Sequence, residues 1–131
     1  AKYNAKIHHL RNKIHFFNID VDKFNNSKYD LIISNPPYII NNDIKRLDDD
    51  VRLFEPHVAL RGGLDGFSVI KKLIVKSKKL LKYKGKLIFE IGTNQLEHSK
   101  FILKKNGFYL DKICKDIQTY PRVIIASKLI K

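Results

Sequence analysis

Hydrophobic residues in this chain fall alternately into short unbroken runs and into stripes at helical spacing, the pattern of a mixed α/β domain. Tyr3, Ile7 and Leu10 sit at helical spacing, so residues 1–10 read as the tail of a helix. Residues 14–19 form an apolar run expected to be a strand, with Asp20 and Val21 at its carboxyl end. Leu31-Ile32-Ile33, bounded by Asp30 and a Pro-Pro pair, reads as a buried strand stopped abruptly by proline. Phe67, Ile70, Leu73, Ile74, Leu80 and Leu81 mark the buried face of a helix over about 66–83, with Asp65 as its cap and Gly85 as its stop. A strand is expected over 86–91. Gly92 and Thr93 then open a helix that carries Gln95 and Glu97 in its first turn and ends at Gly107. Residues 108–113 and 123–130 predict two more strands, close enough in sequence to pair antiparallel at the edge of a sheet.

The corner after Leu31-Ile32-Ile33 carries the chemistry. Ser34-Asn35-Pro36-Pro37-Tyr38 places two rings of fixed backbone angle at the carboxyl end of a strand. In open α/β sheets that end is where ligands bind. The corner offers a carboxamide on Asn35, a carbonyl on Pro36 and an aromatic ring on Tyr38. This set suits alkyl transfer to a planar, weakly nucleophilic NH2 group. The Asn35 side-chain oxygen and the Pro36 carbonyl would accept its two N–H bonds and free the lone pair, while Tyr38 stacks on the plane. The rate gain would come from positioning and fixed dipoles. A plain Pro-Pro turn is the bland alternative, and the flanking asparagine and aromatic ring argue against it.

Other candidates carry less. Asp20, at a strand's carboxyl end, suits a hydrogen bond from an exocyclic amine, or equally a polar turn with Asp22 and Asn25-Asn26-Ser27. From about 39 to 64 there is no clear periodicity, and a loop of that length in a compact domain is usually functional. It is expected to lie over the corner as a substrate lid, with Arg52 and Glu55 as its charged candidates. Phe54 and Pro56 anchoring the loop while Glu55 pairs locally is the other reading, and the sequence does not separate them. His8 and His9 are adjacent and so point to different faces of a helix, which suits solvated side chains better than a metal pair.

Composition bounds these readings. At 131 residues the chain makes one domain at most, large enough for a real core. No stretch has the length of a membrane span, and no signal-peptide pattern opens the sequence. One cysteine, Cys114, precludes an internal disulfide and fits a reducing compartment, cytoplasmic or else organellar. A net charge of +13, mostly lysine, is compatible with proximity to nucleic acid or the ribosome. Lysines spread along the chain fit a general bias toward Lys, Asn and Ile better, with a modest cluster at Lys71-Lys72 and over 76–86. No serine, cysteine or histidine constellation suggests a hydrolase, and no ligand spacing suggests a metal. A first residue of Ala1 reads as the start of a fragment.

Asn35-Pro36-Pro37-Tyr38 after a strand resembles the signature of methyltransferases that use S-adenosyl-L-methionine to methylate amino groups on adenine, cytosine or glutamine. The block from Asp50 through Phe54-Glu55-Pro56 to Leu60, then Gly62-Gly63-Leu64-Asp65-Gly66, narrows the resemblance to the release-factor glutamine methyltransferases, the HemK/PrmC family. Phe89-Glu90-Ile91-Gly92 with Gln95, Lys115-Asp116 followed by Arg122, and Asn4-Ala5 in the first helix agree with it. The match runs in order from about Asn4 to the end.

That resemblance implies a partial Rossmann-like α/β fold of the class I methyltransferases lacking its first two strands. Residues 1–131 would form the C-terminal part of the catalytic domain, without the family's amino-terminal recognition domain and without the Gly-rich cofactor turn. The glycines here bear this out, since none falls in a strand-Gly-x-Gly-helix context. The implied reaction is methyl transfer to the side-chain amide of a glutamine in the Gly-Gly-Gln loop of peptide-chain release factors, in translation termination. Asn35, Pro36, Pro37 and Tyr38 would be catalytic and substrate-holding, with Phe54 and Glu55 on the substrate side. Asp20, Val21 and Asn35 would meet the cofactor, Asp20 and Val21 at its adenine. Methylation of adenine N6 in DNA or RNA is one alternative, and a non-catalytic remnant is another. In the family's sheet the spatial order is third, second, first, fourth, fifth, seventh, sixth. Without the first two strands, the strand over 14–19 loses its neighbour, and the chain alone is expected to be poorly stable and to bind cofactor weakly.

Overall fold

The structure, a computed structural model, describes residues 1–26, 28–37 and 66–129. A short helix α1 (Lys2–Ile7) and a 3-10 turn (Val21–Lys23) precede strand β1 (Tyr29–Ser34). Helix α2 (Ser68–Leu80), strand β2 (Leu81–Glu90), helix α3 (Leu96–Lys105) and strands β3 (Phe108–Lys115) and β4 (Pro121–Lys128) follow. The sheet order is β1-β2-β4-β3. β1 and β2 run parallel, with Ile33 opposite Ile88 and Ser34 opposite Phe89. β4 pairs antiparallel with both β2 and β3, so the last strand in sequence sits inside the sheet. The expected antiparallel pair at the sheet's edge is this β3–β4 hairpin.

Side chains alternate across the strands, and the core forms where one set meets the helices. Leu87, Phe89 and Ile91 of the β2 region, with Ile124 and Ala126 of β4, pack against Ile70 and Ile74 of α2 and Ile102 and Leu103 of α3. Ile32 and Leu110 close the sides of this cluster. The opposite side of β1 carries Leu31 and Ile33, which are 46% and 69% exposed. A buried lysine and an exposed one meet backbone carbonyls near the carboxyl end of α2. Lys128 donates to the Leu81 carbonyl at 2.8 Å, and Lys28 donates to the carbonyl of Lys79 at the same end of α2. Cations there oppose the negative end of the helix dipole. Burial first, then the neighbouring charges of Lys28 and Lys78, push the Lys128 ammonium below its ordinary value.

Three sequence expectations need correction. Residues 14–19 form no strand, because a strand is held by its ladder and no described strand lies beside this segment. Phe17 and Ile19 stay 57% and 50% exposed, and Phe17 instead meets Phe24 edge-on at 5.2 Å. Gly85 does not stop α2. The helix ends at Leu80, where Leu81 turns extended, and Gly85 lies buried within β2. A Cβ on Gly85 would stand 3.0 Å from the carbonyl oxygens of both Lys82 and Tyr29, so glycine there lets β1 and β2 approach where their register shifts. Lastly, α3 begins at Leu96 rather than at Gly92, after a turn in which Asn94 takes a φ of 64°. Asp65, expected to cap α2, lies outside the described residues, and Phe67 occupies the cap position.

Candidate functional site

β1 delivers Asn35, Pro36 and Pro37 to its carboxyl end. Pairing with β2 carries β1 as far as Ser34, and the prolines end the ladder because they have no N–H to give. Pro36 is buried, Pro37 half-buried and Asn35 exposed. The corner is thus pinned by its first proline while its carboxamide faces outward. Because β2 is parallel, its own carboxyl end, Glu90-Ile91-Gly92, stands beside this corner. There the Gln95 side chain accepts from the Gly92 N–H at 2.8 Å and donates to the Gly66 carbonyl at 2.8 Å. Phe67 stacks on His98, ring centroids 4.0 Å apart.

Asp20 and Val21 belong to a different element. Asp20 begins the 3-10 turn, and its Oδ1 accepts from the Asp22 N–H at 2.9 Å. The turn-forming role considered for it is therefore present. Two lysines on α2 hold the turn in place. Lys76 donates to the Asp22 carbonyl and to Asn25 Oδ1, each at 2.8 Å, and Lys72 stands 3.1 Å from the Asp22 carboxylate. The hydrogen bond and charge of Asp22 raise the Lys72 ammonium above its ordinary value. Val21 lines a largely apolar cleft of about 690 Å³ together with Phe24, Tyr29, Ile32 and Leu80. This wall suits a flat heterocycle, with the exposed Asp20 carboxylate next to it. Leu31 and Ile33 of β1 line the same cleft, and Asp20 does not. Asn35 does not line this cleft, and no hydrogen bond given for the described residues joins it to Asp20. Tyr38, Phe54 and Glu55 lie outside the described residues.

Sequence reading missed Lys76 and Lys72 as supports of the Asp20 turn. A signal was available, since Lys76 follows Leu73 by one helical turn and so belongs to the apolar face of α2. Its ammonium reaches out of that face to oxygens. The family-like pair Asp116 and Arg122 is a 2.8 Å ion pair within the β3–β4 turn, far along the chain from the Asn35 corner. Among the described residues no group of three or more His, Cys, Asp or Glu side chains is placed to hold a metal. No described helix is long and apolar enough to cross a membrane.

The sequence profile of the Eco57I restriction-modification methylase family matches residues 1–115. The chain belongs to that family. A release factor glutamine methyltransferase of Clostridium acetobutylicum is 39% identical to this chain over 101 residues, covering 77% of it and 35% of the relative. Another, from Fusobacterium nucleatum, is 43% identical over 104 residues, covering 79% of the chain and 29% of the relative. The chain therefore spans well under two thirds of the length of these relatives. Among solved structures, a methyltransferase from Pyrococcus furiosus superposes with a TM-score of 0.54 at 20% identity, over 80% of this chain and 43% of that one. That likeness is one of fold. The observed order β1-β2-β4-β3 is the fourth, fifth, seventh and sixth strand order expected of a class I methyltransferase sheet.

Proposed function

We propose that this chain is the C-terminal part of the catalytic domain of a protein-glutamine N5-methyltransferase that acts on peptide-chain release factors. The observation that carries the reading is the Asn35-Pro36-Pro37 corner at the carboxyl end of a parallel strand, in a chain 39% and 43% identical to two release factor glutamine methyltransferases. Asn35 Oδ1 and the Pro36 carbonyl accept the two N–H bonds of the glutamine side chain in its Gly-Gly-Gln loop. Held so, the nitrogen pyramidalises and its lone pair turns out of conjugation. Tyr38 stacks on the amide plane, and Phe54 and Glu55 contact the substrate backbone around it. Asp20 accepts from the exocyclic amine of the cofactor's adenine while Val21 packs against its ring. When bound, S-adenosyl-L-methionine supplies a methyl group on a cationic sulfur. The corner contributes orientation and fixed dipoles, the N–H proton given up on methylation passes by way of the oxygen that holds it to water, and the sulfur would leave as a neutral thioether.

The test is mass spectrometry of a release factor after incubation with the full-length protein and S-adenosyl-L-methionine. One added methyl on the glutamine of the Gly-Gly-Gln peptide is expected. Methyl found in DNA or RNA instead would overturn the reading in favour of adenine N6 methylation. The restriction-modification methylase profile favours that second reading.

A further inference from the structure

Gln95 joins two pieces of backbone that meet at the site's end of the sheet. The register of Ser34 opposite Phe89 brings Asn35 and Pro36 off the sheet beside Ile91 and Gly92. The Gln95 carboxamide then ties Gly92 to Gly66, accepting from the first and donating to the second. Gly66 is buried with a φ of 67°, and Phe67, which follows it, is fixed by stacking on His98. A carboxamide is needed for the tie, because one contact demands an acceptor and the other a donor.

We propose that Gln95 is a positioning residue of the methyl-transfer site, setting where the chain returns at Gly66 relative to the Asn35-Pro36 corner. The proposal rests on the methyltransferase reading of that corner. A purely structural role, closing the turn from Gly92 before α3, needs the acceptor half of the side chain alone. Gln95→Glu separates the two roles: its carboxylate still accepts from the Gly92 N–H and suits a helix N-terminus, but it cannot donate to Gly66.

The experiment uses the full-length protein, with release factor or adenine-containing DNA as substrate, whichever the wild type methylates. In Gln95→Glu the cofactor Kd is expected to match the wild type, while the melting temperature falls by a few degrees for the lost Gly66 bond. Hydrogen exchange at Gly66 and Phe67 should quicken, and kcat/KM for the methyl acceptor should fall by roughly tenfold to a hundredfold. Unchanged exchange and unchanged kcat/KM would overturn the proposal. So would a loss of activity matched by a comparable loss of cofactor affinity, which is the signature of a site disrupted as a whole. A wild-type protein that methylates neither substrate overturns the reading of the corner and the positioning role with it, whatever the variant does.

Discussion

Asn35 stands exposed at the end of β1, with Pro36 buried behind it. Losing one oriented polar group in a catalytic site typically costs two to three orders of magnitude, so Asn35→Ala should lower kcat by roughly a hundredfold to a thousandfold without moving the melting temperature. Single-turnover methylation by the full-length protein checks this, and unchanged turnover removes Asn35 from the mechanism. Asp116 shows the opposite kind of acid, one wholly used by structure. Its carboxylate accepts from the N–H groups of Gln118 and Tyr120 and from Arg122 Nε. The bond from Arg122, supported by these backbone donors, holds it below the ordinary carboxylate value against a smaller opposing effect of burial. The folded protein therefore releases this proton more readily than the unfolded chain. Its stabilisation is full above the usual carboxylate range and is lost as pH falls through the depressed folded value. Asp116→Asn should melt below the wild type at pH 7, with the gap closing on acidification. A gap that stays constant in thermal melts down to pH 3 would count against this account.

At the level of elements, a local signal was legible wherever one pattern decided the outcome. The spacing of Ile70, Leu73, Ile74 and Leu80 gave α2, and Leu31-Ile32-Ile33 before two prolines gave β1 and its end. Where the outcome hung on a neighbour, the signal failed. Residues 14–19 have strand composition but no partner ladder, and nothing within six residues can report that. Gly85 follows a helical stripe and so imitates a C-terminal cap, yet what demands glycine is the Tyr29 carbonyl, 56 positions away in sequence terms that a local window never sees. The Asn35 corner was legible because proline acts on its own backbone, whereas the Gln95 tie to Gly66 spans 29 positions and was not. Gly85→Ala follows from the same geometry. Its new methyl would press on two backbone carbonyls at 3.0 Å, so chemical denaturation should show a loss of about 1–3 kcal/mol. A neutral result would mean that the register shift between β1 and β2 has room to relax.

At the scale of the whole molecule, α2 and α3 cover the sheet on one side, and among the described residues β1 is less well covered. β1 pairs with β2 alone among the described strands, and Leu31 and Ile33 are 46% and 69% exposed on it. An unpaired edge that is also apolar invites pairing with another chain. The 131-residue chain by itself is expected to associate with rising concentration, and Ile33→Lys should reduce that association in light scattering. Equal scattering from both would place the adhesive surface away from β1. The position of β4 has a consequence for synthesis. β2 and β3 do not touch as neighbours; β4 separates them, and it is made after both. Until about Lys128 clears the ribosome, the nascent chain holds two strands with a gap between them and lacks Ile124 and Ala126 from its core. Completion of the described sheet must therefore wait for translation of β4, and until then the gap-facing edges of β2 and β3 stay open to a chaperone.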